Sequence, residues 1–312
     1  MDAGSTARAA PRAAAPSAAN AKVARALAPR DVLAITFDDA YRDVWLRVRP
    51  ILTRLGLPAT VFVPTGFIGS PEPLLHDRLY ALLVRARAAR GGFPAASLPA
   101  HLRLAVERAE RTMRAGGRVG AVLALDELIA SLPAEALRRI AVTLEDRLGG
   151  TATLDEGGRV MSAAELWECS EAGIELGAHT VEHMVLVGEP PSRVRRELLD
   201  PRRELEAIAA RPCTSFAYCN GIWSPALVEA LRAAGYRVAV TTTDRPNRGD
   251  ADPLLLGRKV LWEGHTRGSD GRFSPALATA HLHDLFGALA LSSPASGPSA
   301  RETEVEAWPR PA

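Results

Sequence analysis

Two adjacent carboxylates, Asp38 and Asp39, follow the apolar run 32–37, and two histidines four residues apart, His179 and His183, follow a second short run at 175–178. Neighbouring side chains on an extended chain diverge, so one Asp can hold a metal while the other stays free as a base. An Asp pair at such a place is equally at home as a turn or helix cap. Histidines at i and i+4 can face one way on a helical turn, and neutral imidazoles suit a borderline divalent ion such as zinc. Read blandly, they are two unrelated core or surface residues. The zincin pattern puts Glu directly after the first His; here Thr180 stands there and Glu182 precedes the second, so that mechanism does not apply. One Asp and two His together make a facial set of three ligands that leaves positions open for water and a substrate oxygen, and the remaining Asp has a proton to take.

These residues need a frame that brings separate chain segments to one edge. Apolar β-branched runs at 32–37, 59–63, 175–178, 215–218, 238–242 and 254–261 read as strands. Between them, helical spacing marks 43–55, stopped by Gly56, and 225–234, stopped by Gly235. Residues 192–210 read as a helix that Pro201 should kink or split. Strand, helix, strand order predicts an α/β fold: a distorted or incomplete (β/α) barrel, with each chemical cluster at a strand's C-terminal end. From about 70 to 160 the pattern changes to Arg- and Ala-rich helical stretches at 77–90, 98–114 and 134–148, read as a helical insertion after the second strand. The expected organisation is a mobile arm at 1–30, a barrel at 31–290 with the insertion at 70–160, and a disordered tail at 291–312.

Composition narrows the classes. Hydrophobic residues at 47% and charged residues at 24% are those of a globular chain with a sizeable core. A net charge of +2, from 38 basic and 36 acidic residues, leaves no footprint for nucleic acid. The arginines at 85, 87, 90, 103, 108, 111 and 114 read as a solvated helix face before an anion-binding surface. Cys169, Cys213 and Cys219 are too few and too irregular for a disulfide framework or a thiolate zinc site. No apolar run has the length of an export signal or a membrane span, so a cytoplasmic chain without stable membrane insertion is expected. Oligomeric state is left open.

The run Thr36-Phe37-Asp38-Asp39-Ala40-Tyr41, the His179-x-x-x-His183 pair and the segment Phe216-Ala217-Tyr218-Cys219-Asn220-Gly221 resemble the three motifs of the polysaccharide deacetylases, over roughly 31–69 and 160–265. The resemblance implies Asp38 as general base and Asp39, His179 and His183 as ligands of one divalent ion, zinc or else cobalt, nickel or manganese. It implies an oxyanion-holding backbone N–H at Asn220. The family's motif has Gly where Ala40 stands, and here Cys219 and Asn220 replace a proline and an aromatic. Ala217 occupies the place of an Arg that orients the base in other members, and Arg258 is a candidate to supply that guanidinium from a later segment. The family's proton-donating His has no clear match: His265 and His283 are candidates, and His76 and His101 default to surface roles. The implied activity is removal of N-acetyl groups from an amino sugar or glycan. Two alternatives stay open: a barrel that binds carbohydrate but has lost catalysis, and an amidase or deformylase on a non-sugar amide. An insertion leaving the C-terminal end of the second strand is expected to emerge beside the site, as a cap that narrows access or as an outer helical layer.

Overall fold

The structure, a computed structural model, describes residues 32–89, 98–150, 156–261, 266–268 and 270–283. The expected arm, 1–30, and tail, 291–312, lie outside the described residues, as does Arg90 of the arginine run. Among the described residues five strands form one parallel sheet in the order β1-β2-β3-β4-β5: β1 (Thr36–Phe37), β2 (Ala59–Val63), β3 (Ile174–Ala178), β4 (Ser215–Ala217) and β5 (Val238–Val240). Each strand lies beside its neighbour in sequence, so successive right-handed crossovers all step the same way and leave their helices on one face. That is the winding of a (β/α) barrel, here incomplete. Phe37 pairs with Val61, Val63 with Ala178, Ala178 with Phe216 and Ala217 with Val240, which aligns the C-terminal ends of all five strands.

The expected strand at 254–261 does not form. One parallel bridge, Val240 to Leu256, extends the sheet through Leu256 N to Ala239 O at 3.0 Å and Thr241 N to Leu256 O at 2.8 Å, while the side chain of Asn247 takes both backbone groups of the next residue, Gly257, at 2.8 Å each. The helix expected at 43–55 is a π-helical turn, Val44–Val48, followed by α1 (Arg49–Leu55). Pro50, with no N–H to donate backwards, sits at that change of winding, and Gly56, at φ +64°, ends the helix. Pro201 does not split its helix: it is buried between Leu198 and Leu205, whose packing carries the helix through the missing hydrogen bond.

Between β2 and β3 lie α2 (Leu75–Ala88), α3 (Ala100–Ala115), α4 (Gly120–Ser131), α5 (Ala134–Leu148) and α6 (Ala163–Glu171). The first four share a core of their own, including Leu79, Leu82, Leu102, Leu128 and Ile140, separate from the cluster of Val61, Leu176, Phe216 and Leu231 beneath the sheet. The buried residues of α4, Ala121, Ala124, Leu125 and Leu128, keep helical spacing, but Val122 and Ala130 make its exposed side apolar too, so the alternation is weak in the sequence. The Glu145 carboxylate, almost fully buried, is gripped by both ends of the Arg78 guanidinium, with Nε at 2.7 Å, tying α2 to α5. Members of the arginine run stay on exposed helix faces while bonding within the bundle: Arg85, half-buried, caps the carbonyls of Leu148 and Gly150, Arg103 that of Leu98, and Arg108 pairs with Glu127 at 3.0 Å. After α6, whose Ser162 and Glu165 form a reciprocal capping box, come β3, α7 (Pro191–Ala209), α8 (Pro225–Ala233) and α9 (Pro275–Leu282). No helix of the described residues is long and apolar enough to cross a membrane.

Gly177, in the middle of β3, has no room for a side chain: a Cβ there would lie 2.5 Å from the Phe62 ring and 2.7 Å from Ser215 Oγ. Gly177→Ala is expected to destabilise the fold by about 1–3 kcal/mol through this overpacking, read as a lower urea midpoint at unchanged slope.

Candidate metal centre and active site

The loops after the strands carry backbone strain where their polar side chains converge. Outside glycine, positive φ occurs at Asp39, Ala40, Thr180, His183 and Asn220, and away from these loops at Ala210, which ends α7. An L-residue held left-handed costs about 1–2 kcal/mol, and strain of this kind gathers where surrounding contacts over-determine the chain. At Ala40 the methyl is fully buried in the main core, which offsets part of the cost by about 0.8 kcal/mol and makes Ala tolerable where Gly would be unstrained.

Three sets of bonds hold these loops. His179 N donates to Val63 O, Thr65 N to Thr180 O and Gly66 N to Val181 O, so the loops after β2 and β3 are zipped together. Glu197 of α7, fully buried, accepts from Val181 N at 2.8 Å and Glu182 N at 3.0 Å. Glu182 is drawn away from the centre by Arg138 of α5 and by Arg193 and Arg196 of α7. The loop after β1 is fixed by Met161 N donating to Ala40 O and by a bridge between Tyr41 and Val160, so the segment returning from the helical bundle runs beside it.

Asp39, His179 and His183 converge. Asp39 Oδ1 lies 2.9 Å from His183 Nε2 and 3.5 Å from His179 Nε2. The ring of His179 is turned by its Nδ1, which bonds Ala217 O at 2.8 Å; since a carbonyl only accepts, a proton is on Nδ1, and the nitrogen of the neutral ring with a lone pair to offer is Nε2. Asp39 Oδ1 is buried and receives no hydrogen bond. Burial opposes ionisation of Asp39, but the imidazoles, His183 foremost, outweigh it and hold the carboxyl well below the usual carboxylate range. An anionic oxygen without a donor, beside imidazole nitrogens, is a donor set that fits a divalent cation. His179, His183 and Cys219 also lie close enough to share an ion, but Cys219 Sγ sits 3.8 Å from His179 Nδ1, the nitrogen already committed to Ala217. The carboxylate set is therefore the better ligand group.

Asp38 faces a different partner. Arg258 donates from both ends of its fork, Nη1 to Oδ1 at 2.6 Å and Nη2 to Oδ2 at 2.7 Å, while its Nε is fixed by Thr241 O at 2.9 Å and its plane lies over Phe62. Asn220 is exposed in the loop after β4, its carbonyl accepting from Thr242 Oγ1 at 3.3 Å. His283 is exposed at the end of α9, and His265 lies outside the described residues.

His76 departs from the surface role expected for it. It lies at the start of α2, 3.3 Å from His183 (Nδ1 to Nδ1), 3.8 Å from Asp39 Oδ2 and 3.0 Å from the Tyr41 hydroxyl. Burial, then the neighbouring His183, pushes its pKa down. Tyr41 also donates to Asp77 Oδ2 at 2.7 Å. The motif after β1 shows Tyr41 in the sequence, but no local pattern links it to a helix 35 residues away.

The family profile described as polysaccharide deacetylase matches residues 26–92 and 148–239, just over half of the chain. The chain belongs to the polysaccharide deacetylase family. The gap in the match removes most of the helical bundle. Among curated proteins, YxkH of Bacillus subtilis (strain 168), named as a polysaccharide deacetylase, is 24% identical over 113 residues, spanning 36% of this chain and 40% of that protein. Among solved structures, the Streptococcus pyogenes deacetylase PplD in complex with acetate is 16% identical at a TM-score of 0.42, covering 77% of this chain and 69% of its own. IcaB from Ammonifex degensii is 17% identical at a TM-score of 0.44, covering 77% and 72%.

The Glu197 clamp yields a direct test. Glu197→Ala leaves the N–H groups of Val181 and Glu182 without their acceptor, and is expected to cost about 3 kcal/mol of stability. Hydrogen exchange should accelerate at those two amides ahead of the neighbouring strand β3.

Proposed function

We propose that the chain is a metal-dependent N-deacetylase that hydrolyses the acetamide of an amino sugar or glycan, releasing acetate and the free amine. The observation that carries this reading is the division of labour between two adjacent carboxylates, Asp38 in a bidentate grip from Arg258 and Asp39 beside His179 and His183. Asp39, His179 and His183 are the proposed ligands of one divalent ion, zinc by the chemistry of the set. Such an ion, when bound, polarises the amide carbonyl and lowers the pKa of water towards about 7.

The chain's own groups do the rest. Asp38 takes the proton of the attacking water, and Arg258, bonded to both its oxygens, fixes the orientation of the carboxylate so that the base has a set direction. As water adds to the acyl carbon, the charge that builds on the acyl oxygen is met by the Asn220 N–H, and it collapses again when the C–N bond breaks. The leaving nitrogen takes up a proton, balancing the one that Asp38 removed from water, and departs as the amine. A barrel that only binds carbohydrate has no use for a guanidinium-held carboxylate beside a second carboxylate with a buried, undonated oxygen, so the catalytic reading is preferred over the impaired one.

The helical bundle is proposed to cap one side of this centre. Support comes from His76 at the start of α2 touching the cluster, from Arg138 of α5 holding Glu182, and from the return segment running beside Tyr41. Acetylated sugar termini or short substrates are then preferred over the interior of a long polymer.

Asp38→Asn is expected to lower acetate release by about a hundredfold to ten-thousandfold while metal content and melting temperature hold. Asp39→Asn should instead strip the metal. Metal analysis beside an acetate-release assay on acetylated amino sugars decides it; the reverse pattern means that the two roles must be exchanged.

A further inference from the structure

We infer that Asn247, exposed on the loop after β5, is a positioning residue for the proposed reaction: by clamping the backbone of Gly257 it fixes where Arg258 starts, and so where the guanidinium meets Asp38. The inference deepens the deacetylase reading and rests on it for its purpose, although the clamp itself follows from the contacts alone. Arg258 reaches Asp38 from the edge of the sheet, 220 residues away in sequence. So long a side chain keeps its aim only where both its tip and its root are held. The tip is held by Asp38, by Thr36 Oγ1 at 3.2 Å from Nη1, and by Thr241 O, which accepts from Nε at 2.9 Å. The root lies just past the single bridge, Val240 to Leu256, where the sheet gives way to loop.

That root is bonded from two sides. In a parallel pair alternate residues bond the neighbouring strand, and the residues between them turn their backbone groups the other way. Leu256 bonds β5 through Ala239 O and Thr241 N, and Arg258 N donates to Thr243 O at 2.9 Å. Gly257 stands between them, and both its backbone groups are met by Asn247: Gly257 N donates to Oδ1, and Nδ2 donates to Gly257 O, at 2.8 Å each. The side-chain amide offers one donor and one acceptor, as the peptide of a further strand would. It fits because residue 257 is glycine. A Cβ there would lie 2.7 Å from Thr243 O and 2.9 Å from Arg245 Cγ, so the loop that carries Asn247 could not close over a larger residue. Beyond Arg258, Lys259 Nζ pins the same loop at Asp244 Oδ1, 3.2 Å away. Arg258 is thereby flanked by two residues tied to one loop, and Asn247 acts on the base only through Gly257 and Arg258.

The test uses the full chain loaded with Zn2+ and assayed for acetate release from a short N-acetylglucosamine oligomer, as wild type, Asn247→Ala, Arg258→Ala and the double variant. A second reading needs neither metal nor substrate: solvent exchange of the Arg258 Nε–H, followed by NMR in metal-free protein, since Thr241 O holds that proton. Asn247→Ala is expected to lower kcat about ten- to a hundredfold, the loss that a small misplacement of a catalytic group brings, with KM and Zn2+ content unchanged and Nε–H exchange faster. In the Arg258→Ala background the same substitution should change kcat no further, because a residue that acts only through Arg258 has nothing left to position. Undiminished kcat or unchanged exchange in Asn247→Ala overturns the inference, as does a loss that persists in full in the double variant, which would mean a general loosening of the loop. Arg258→Ala with wild-type kcat overturns it from the other side. If Asn247→Ala does not fold, Asn247→Asp decides in its place by the same readings, since it keeps the acceptor for Gly257 N–H and loses the donor to Gly257 O. Wild-type protein that releases no acetate, with Nε–H exchange still quickened by Asn247→Ala, defeats the deacetylase reading and leaves the clamp standing.

Discussion

A buried carboxylate oxygen that receives no hydrogen bond is a costly group for a fold to hold, and the organisation of the strand ends is built around the one at Asp39. Asp39 Oδ1 sits among imidazole nitrogens and is given no hydrogen bond of its own, an arrangement that a divalent cation would complete. Nothing local would keep it together. The convergence is imposed from outside, by the zipped loops after β2 and β3, by the Glu197 carboxylate under the His179–His183 turn, and by the main-chain bonds that pin the loop after β1. The left-handed residues at Asp39, Thr180 and His183 are the visible cost of forcing three loops to aim at one point.

The same geometry separates two chemically identical neighbours. Asp38 continues from β1 towards Arg258, whereas the left-handed turn at Asp39 swings the next carboxylate towards the histidines. Their different surroundings, a guanidinium fork on one side and imidazoles on the other, come from segments more than a hundred residues downstream. Adjacency in sequence makes the pair compact, and the parallel sheet supplies the partners, because all five strands end at the same edge.

How much of this the sequence displays depends on whether the signal is local. β2 and α5 stand where their patterns put them, since β-branched alternation and 3.6-residue spacing are local properties. The strand expected at 254–261 shrinks to one bridge at Leu256, beyond which Gly257 is bonded by the Asn247 side chain, and α4 was hidden because apolar residues such as Val122 stand on its exposed side as well. At the site, Asp38, Asp39, His179 and His183 announce themselves by type and spacing. Arg258 was legible only as a gap at Ala217 that some other residue had to fill. His76 was not legible at all: its place beside the cluster is written in contacts with Tyr41, 35 residues before it, and His183, 107 after it.

That last point bears on what the helical bundle is. With a core of its own it has the outward marks of an independent addition, and the family profile passes over most of it. Its attachment argues otherwise. The segment leading in places His76 and Asp77 against the loop after β1, the segment leading out pairs with that same loop through Val160, and Arg138 reaches the loop after β3. A module joined only through its ends could drift without consequence for the chemistry. One joined through hydrogen bonds to residues that flank the proposed ligands cannot, because any motion of α2 must stretch the contact to His183 or break the Tyr41 bond. The packing of Leu79, Leu82 and Leu83, which fixes α2 within the bundle, is therefore part of what sets the geometry at Asp39.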